Sequence, residues 1–328
     1  MKIEVCPGCL AESFNSYCNK CLKKLFSGIR VNHVLNFSRA EFDKIKNEQS
    51  EKVSLPGKQV KHSLKIENKE LIPGERGEYI LKPVPSSDQI QNVKHAPSNE
   101  HVTMQIAGQA FGINTAVNGI IFFNNGEAAY FTKRFDIHES GNRLLQEDFA
   151  QIAGRTEEIN GESYKYNYSC EEIAELMKKY LNAYHIEIEK FFKIIVFNFL
   201  FSNNDFHLKN LSLYRNEEYG DYLLAPAYDL SNTLIHSPDK TNFALNLFKE
   251  DSVNAVNGGK KYSQKDFIEF SQRIGIKEKR FNAIFTGMLS KSAQVKNLVS
   301  RSFLSEELKS VYLDNYIDKY EVLRGNIL

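Results

Sequence analysis

Three oxygen-bearing side chains, Asp205, Asn210 and Asp229, each follow an apolar run in residues 196–235. Residues 191–201 are largely apolar, too short to span a membrane and suited to a buried helix. That run stops at Ser202-Asn203-Asn204-Asp205, a cluster of turn formers. Asn210 follows within the same loop, and a second apolar run, 222–228, ends at Asp229. Such a set suits phosphoryl transfer from ATP. One carboxylate, Asp205, would take the proton of an attacking hydroxyl, while the amide of Asn210 and the carboxylate of Asp229 would hold Mg²⁺ against the phosphates. Asp and Asn more often just cap helices and turns. The ordered triplet, each member after an apolar run, favours the chemical reading.

A second constellation lies at the amino terminus. Cys6, Cys9, Cys18 and Cys21 form two Cys-x-x-Cys pairs, with Pro7-Gly8 inside the first. Four thiolates at this spacing suit tetrahedral Zn²⁺, and a site filled by four cysteines is structural rather than catalytic. Two disulfides are the alternative, disfavoured in a reducing compartment. Loss of the metal should lower stability and leave the nucleotide site untouched. The fifth cysteine, Cys170, stands before Glu171-Glu172 as an ordinary helix-start residue.

The elements that must position these groups follow from patterning. Residues 26–49 read as a linker with a short helix over 38–47, where Ser38 and Glu41 have capping-box spacing. Residues 54–61 lead into alternation over 62–66, a strand–loop–strand hairpin whose backbone amides could cradle phosphates; a plain hairpin turn would look the same. Lys82 stands near the end of an apolar strand, 78–83. Buried, it needs an anionic partner, and at a sheet edge it would simply face water. A helix over 100–111 places Met104, Ala107 and Phe111 on one face. Residues 117–123 and 128–131 form two strands around a tight turn at 124–126. Residues 171–201 read as two helices, the second buried, and 264–323 as packing helices. The chain has 328 residues, 42% hydrophobic and 25% charged, with 42 basic against 41 acidic residues. That composition is ordinary for a globular chain and argues for neither a nucleic-acid nor a membrane surface. The amino terminus has no apolar signal region, so a cytoplasmic location is expected.

The segments NNDFHLKNLSLY (203–214) and LAPAYDLSN (224–232) resemble the signature of HipA-type serine/threonine kinases, the toxin half of bacterial toxin–antitoxin pairs. The resemblance implies an α+β, bilobal, protein-kinase-like fold: a β-rich lobe over 50–135 and a helical lobe over 136–328, preceded by the knuckle over 1–25 and the linker. Ser54, Gly57, Gln59 and Lys61 match the family's S-x-x-G-x-Q-x-K loop. It implies autophosphorylation at Ser54 and ATP phosphates covered by Pro56, Gly57, Lys58, Gln59, Val60 and Lys61. Lys82 falls at the family's strand lysine, with Glu100 as the candidate helix glutamate that orders it. Lys133, Arg134 and Phe135 match the hinge that contacts adenine, with Ile137 in place of a usual arginine, and Gln146-Glu147-Asp148-Phe149 match a second family stretch, with Ala150 in place of its cysteine. His207, Leu208, Lys209 and Tyr228 complete the implied ATP site around Asn210 and Asp229.

The cofactors implied are ATP and Mg²⁺, with structural Zn²⁺ at the knuckle. The implied partners are a protein substrate, such as an aminoacyl-tRNA synthetase or another translation component, and a helix-turn-helix antitoxin through which DNA would be met. Full-length relatives carry a subdomain before the phosphate loop, where this chain has only about 50 residues. It looks like the short form, with the subdomain supplied by a separate protein. A small-molecule or lipid kinase would use the same chemistry. A degenerate nucleotide- and zinc-binding module is the non-enzymatic alternative, against which the intact Asp205, Asn210, Asp229 and Lys82 argue.

Overall fold

Strands over 61–67 and 79–83 bury consecutive residues on both faces, His62 to Leu64 and Leu81 to Pro83, and around them the first lobe is built. A computed structural model describes residues 2–48, 54–55, 61–86, 90–137, 141–237, 243–251 and 261–325. After α1 (Asn19–Phe26) and α2 (Arg39–Glu48) come β1 (Ser54–Leu55), β2 (Lys61–Glu67), β3 (Glu70–Pro73) and β4 (Tyr79–Pro83). Helix α3 (Ala96–Gln109) then precedes β5 (Asn118–Phe122) and β6 (Ala128–Lys133). These strands pair antiparallel in the order β1-β2-β4-β6-β5, with β3 on β2. The expected hairpin is present, Ser54 lying opposite His62 and Leu55 opposite Lys61. Its loop, Pro56 to Val60, lies outside the described residues.

Helix α2 is closed by the expected box, Ser38 N donating to Glu41 Oε2 at 2.6 Å and Glu41 N to Ser38 Oγ at 3.2 Å. Part of the stretch read as a linker packs against the sheet. Phe26, Val31, Leu35 and Phe42 are buried with Leu64, Tyr79, Leu81 and Phe131 of the sheet in one core, which also takes in Cys6, Cys18 and Cys21. Helix α3 starts earlier than the periodicity predicts, at Ala96, with Pro97 in a first turn where its missing N–H costs nothing. It is also buried on nearly every side rather than on one face, as a helix wedged between two lobes must be.

The second lobe opens with β7 (Gln146–Asp148), α4 (Phe149–Ile152), α5 (Glu157–Asn160), α6 (Cys170–Tyr180) and α7 (Tyr184–Leu200). Then follow β8 (Ser212–Arg215), β9 (Tyr222–Leu224), α8 (Gln264–Arg273), α9 (Glu278–Leu289), α10 (Ser292–Ser300) and α11 (Glu306–Arg324). Strands β7, β8 and β9 form a small antiparallel sheet. Cys170 is the buried first residue of α6, behind a Ser169–Glu172 capping box. Phe191, Phe192, Ile195, Phe197 and Leu200 of α7 are buried at the centre of the helical core, as the apolar run predicts. Among the described residues no helix is long and apolar enough to cross a membrane.

Candidate active site

Helix α7 ends where its apolar run ends, and the stop is built from side chains. Ser202 takes a left-handed conformation, φ 51°. Asn203 N donates to the Asn198 carbonyl at 2.9 Å, and the Asn203 carboxamide to Asn198 Oδ1 at 2.7 Å. The turn that follows carries Asp205, whose N–H meets Asn203 Oδ1 at 3.3 Å. Thr233 Oγ1, beyond Asp229, donates to the Ser202 carbonyl at 2.8 Å and accepts from Asn204 N at 3.0 Å. The two loops named by the sequence are therefore pinned to each other.

Asp229 is the hub. It sits at φ 60°, a region non-glycine residues rarely adopt and one that clusters at functional sites. Its Oδ1 accepts from Lys82 Nζ at 2.6 Å, its Oδ2 from Asn210 Nδ2 at 3.1 Å, and Lys61 Nζ stands 3.8 Å away. Lys82 also donates to Glu100 Oε1 at 2.6 Å and lies 5.4 Å from the centre of the Tyr130 ring. Lys82 is thus a buried lysine between two carboxylates, not an edge residue facing water.

The charges follow from this packing. Burial would lower the Lys82 pKa, but Asp229 and Glu100 outweigh it and push it up. Burial would raise the Asp229 pKa, yet Lys82 and Lys61 hold it well below the usual carboxylate range. Glu100 has one cation and a second carboxylate beside it. Burial and Asp229 carry it to about 7 against the pull of Lys82.

A cavity of about 280 Å³ opens from this cluster. Lys61, Lys82, Lys133, Phe135, Lys209, Tyr228 and Asp229 all line it, bringing together residues far apart in sequence. The Phe135 and Tyr228 rings stack at 5.8 Å, and the Tyr228 hydroxyl pairs with Ser212 Oγ at 2.6 Å and with the Lys209 carbonyl at 3.0 Å. Arg134 also lines the cavity, but Asp136 captures its guanidinium, Nε to Oδ1 at 2.9 Å. Leu208 is wholly buried in the helical core and does not line the cavity. Its neighbour His207 is buried too, and desolvation lowers its pKa to about 4, so it is neutral. His207 N donates to Asn210 Oδ1 at 3.2 Å, which orients that amide. Asp205 stands apart from the cavity lining, its carboxylate accepting from the Tyr166 hydroxyl, a partner that nothing in the sequence pattern indicates. Gln151 and Ser212 also line the cavity without a signal in the sequence, and Asp148, in a stretch that matches the family but carries no assigned role, lines it too.

The four cysteine sulphurs lie within 4.8 Å of one another, and Cys9 and Cys18 Sγ are 3.7 Å apart. Tetrahedral Zn–S bonds of about 2.3 Å place sulphurs about 3.8 Å apart, whereas a disulfide needs about 2.05 Å. The four thiols are free, and the donor set could hold zinc. Gly8 is required here, since a Cβ would come within 2.7 Å of Cys21 Sγ. Without a cation the thiols oppose one another. Cys21 would ease Cys9 downward, but the Cys6 sulphur and burial push it up to about 12.

The knuckle is docked rather than free-standing. Ile120 N donates to the Pro7 carbonyl at 2.8 Å, Tyr17 Oη to the Ile120 carbonyl at 2.7 Å, and Gln109 Nε2 to the Cys9 carbonyl at 3.0 Å. His101 Nε2 lies 3.4 Å from the Gly8 carbonyl. The four-cysteine cluster therefore abuts α3, the helix that carries Glu100. A larger groove, about 750 Å³, runs between knuckle and α3, and neither a carboxylate nor a histidine lines it.

A β-rich lobe and a helical lobe, with Lys82, Glu100 and Asp229 lining one cavity and Asn210 bonded to Asp229 behind it, define a kinase-like fold. The chain belongs to the HipA-like C-terminal domain family, whose profile matches residues 53–296. It is 26% identical over 330 residues to a Haemophilus influenzae protein named "Putative kinase", covering 95% of this chain and 94% of that one. It is 27% identical to "Putative kinase Y4dM" of Sinorhizobium fredii, covering 75% of this chain and 60% of that one. The fold is similar to HipA in the Shewanella oneidensis complex of HipA, HipB and operator DNA, with a TM-score of 0.60 at 18% identity over 88% of this chain and 71% of that one. It is also similar to the Helicobacter pylori proinflammatory kinase CtkA, with a TM-score of 0.51 at 15% identity over 82% and 93% of the two chains.

Proposed function

We propose that this chain is an ATP- and Mg²⁺-dependent protein serine/threonine kinase of HipA type. The observation that carries the proposal is the cluster at Asp229, where Lys82, Asn210 and Lys61 converge at the mouth of a cavity lined by Phe135 and Tyr228. Asn210 and Asp229 would hold Mg²⁺, which when bound draws charge from the phosphates. On nucleotide binding Lys82 would exchange Asp229 for a phosphate oxygen while Glu100 keeps hold of it. Phe135 and Tyr228 offer apolar faces to adenine, with Lys133 at the hinge. Asp205 would accept the acceptor hydroxyl's proton from outside the nucleotide cavity.

The loop from Pro56 to Val60 would cover the phosphates, and Ser54, the first residue of β1, would be the site of self-modification. A phosphate there adds about −1.5 to −2 charges beside an anionic ligand, so the enzyme silences itself. Zinc would close the knuckle, 1–25, and the lobes divide at about residue 135. The HipB partner named with the Shewanella protein supports a toxin role and a helix-turn-helix antitoxin partner. A translation component is the substrate class we propose. Phosphoproteomics of cells expressing wild type against Asp205→Ala tests the reading: new phosphoserine or phosphothreonine should appear with wild type alone. Identical phosphoproteomes, with purified protein that consumes no ATP, would overturn it.

A further inference from the structure

The geometry points to Tyr166 as the positioning residue for the base at Asp205, an inference that rests on the kinase reading above. Asp205 is an unusual base in one respect: its side chain is 62% exposed. An exposed carboxylate rotates freely, and a base that must meet one hydroxyl proton loses rate when it does. Among the described residues the one hydrogen-bond donor to that carboxylate is the Tyr166 hydroxyl, on Oδ1. His207 Nε2 is 4.0 Å from the same oxygen, too far to fix it. Oδ2 is left for the acceptor.

The tyrosine is itself held. Its ring meets the His207 ring edge-on, centroids 5.2 Å apart, and the Lys165 ammonium lies 4.9 Å above it. The Lys165 carbonyl accepts from Leu208 N at 3.1 Å, tying the loop to the catalytic turn one residue before the tyrosine. Within the loop, Tyr166 N donates to the Ser163 carbonyl at 2.9 Å, and Tyr168 N to the Tyr166 carbonyl at 2.9 Å. Burial and the Asp205 carboxylate push the phenol's pKa upward, so the group stays a neutral donor.

In the reaction the acceptor's O–H proton passes to Asp205 Oδ2 while the oxygen's lone pair forms the bond to the γ-phosphorus. The β,γ-bridging oxygen takes the breaking P–O pair and leaves with ADP. Tyr166 exchanges no proton in this step. It fixes the plane of the carboxylate, as an orienting group fixes a base in other acid–base sites.

The test uses the full chain and the variants Tyr166→Phe, Asp205→Ala and the double variant, with Mg-ATP and dephosphorylated casein as acceptor and autophosphorylation followed by intact mass. Phenylalanine keeps the ring against His207 and removes only the donor. A positioning role predicts a fall in kcat of about tenfold or more, with the KM for ATP and the melting temperature unchanged. In the Asp205→Ala background the same change should do nothing further, because the two residues act as a unit. Wild-type kcat in Tyr166→Phe would overturn the role. A faster enzyme with a lower acceptor KM would overturn it too, marking the tyrosine as a plug in the acceptor's place. An equal fractional loss in both backgrounds would leave Tyr166 purely structural. An active wild type that Asp205→Ala does not impair would instead fail the assignment of the base, and a wild type that turns over no ATP would fail the kinase reading itself.

Discussion

The Asn99 carboxamide and the Asn232 peptide clasp each other, Nδ2 donating to the Asn232 carbonyl at 2.9 Å and Oδ1 accepting from Asn232 N at 3.1 Å. Asn99 precedes Glu100 in α3, and Asn232 lies three residues beyond Asp229, so one side chain joins the two carboxylates that share Lys82. Asn99→Ala would leave a buried N–H and C=O unpaired, costing about 1–3 kcal/mol. Thermal melting should show the loss. ATP titration should show weaker binding as well, because Glu100 and Asp229 are no longer held in register. A variant that melts earlier yet binds Mg-ATP like wild type would refute that coupling.

The Glu100 carboxyl gives the second prediction. Its pKa is raised to about 7, so below that pH the side chain is protonated and the Lys82 pair is weakened. Since the pKa is raised on folding, the linked stability is greatest below the ordinary carboxylate range and is lost as pH rises through about 7. Activity runs the other way, and kcat/KM for ATP should climb between about pH 6 and about pH 8. Mg²⁺ at Asp229 would remove part of the repulsion that raises Glu100, so the limb belongs to the free enzyme and should be weaker in kcat. Glu100→Gln should lower the rate and flatten the limb. A wild-type kcat/KM profile that is flat across this range would refute the assignment.

The sequence revealed the groups whose chemistry depends on local spacing. Asp205, Asn210 and Asp229 announce themselves because each ends an apolar run, and the four cysteines because knuckle ligands come in close pairs. Tyr166 and Asp205 are 39 residues apart, and Asn99 and Asn232 are 133 apart. No periodicity links such partners, since only the packing of α3 and the loop at 161–168 brings them together. Arg134 lines the cavity, as the motif around it implies, but its guanidinium is held by Asp136 two residues on, a pairing the motif does not announce. After Phe26 at the end of α1, Val31 and Leu35 are buried from irregular chain, which leaves neither a helical nor an alternating pattern to read.

Asp229 and Asp205 should fail in separable ways. Asp229→Ala removes the partner shared by Lys82, Asn210 and Lys61, so Mg²⁺-dependent ATP binding should weaken at least tenfold. Asp205 lies outside the cavity wall, so Asp205→Ala should bind Mg-ATP normally while phosphoryl transfer falls by about 10²-fold or more. Calorimetric titration of the two variants decides it. Equal ATP affinities would contradict the division of roles.

Zinc should reach the nucleotide through α3. The Cys9 carbonyl and the Gly8 carbonyl are both gripped by that helix, by Gln109 and His101, and Gly8 lies against Cys21 Sγ. A four-cysteine site supplies folding free energy when loaded, and its backbone loosens when the metal leaves. Elemental analysis of protein purified under reducing conditions should find about one Zn²⁺ per chain. Cys9→Ser should lower that content and the melting temperature. It should also weaken ATP binding several-fold, because His101 adjoins Glu100 and the helix loses its brace. A metal-free chain as stable as wild type would remove the zinc site from the account. A variant that melts early but binds ATP unchanged would confine the knuckle to stability and cut its line to Glu100.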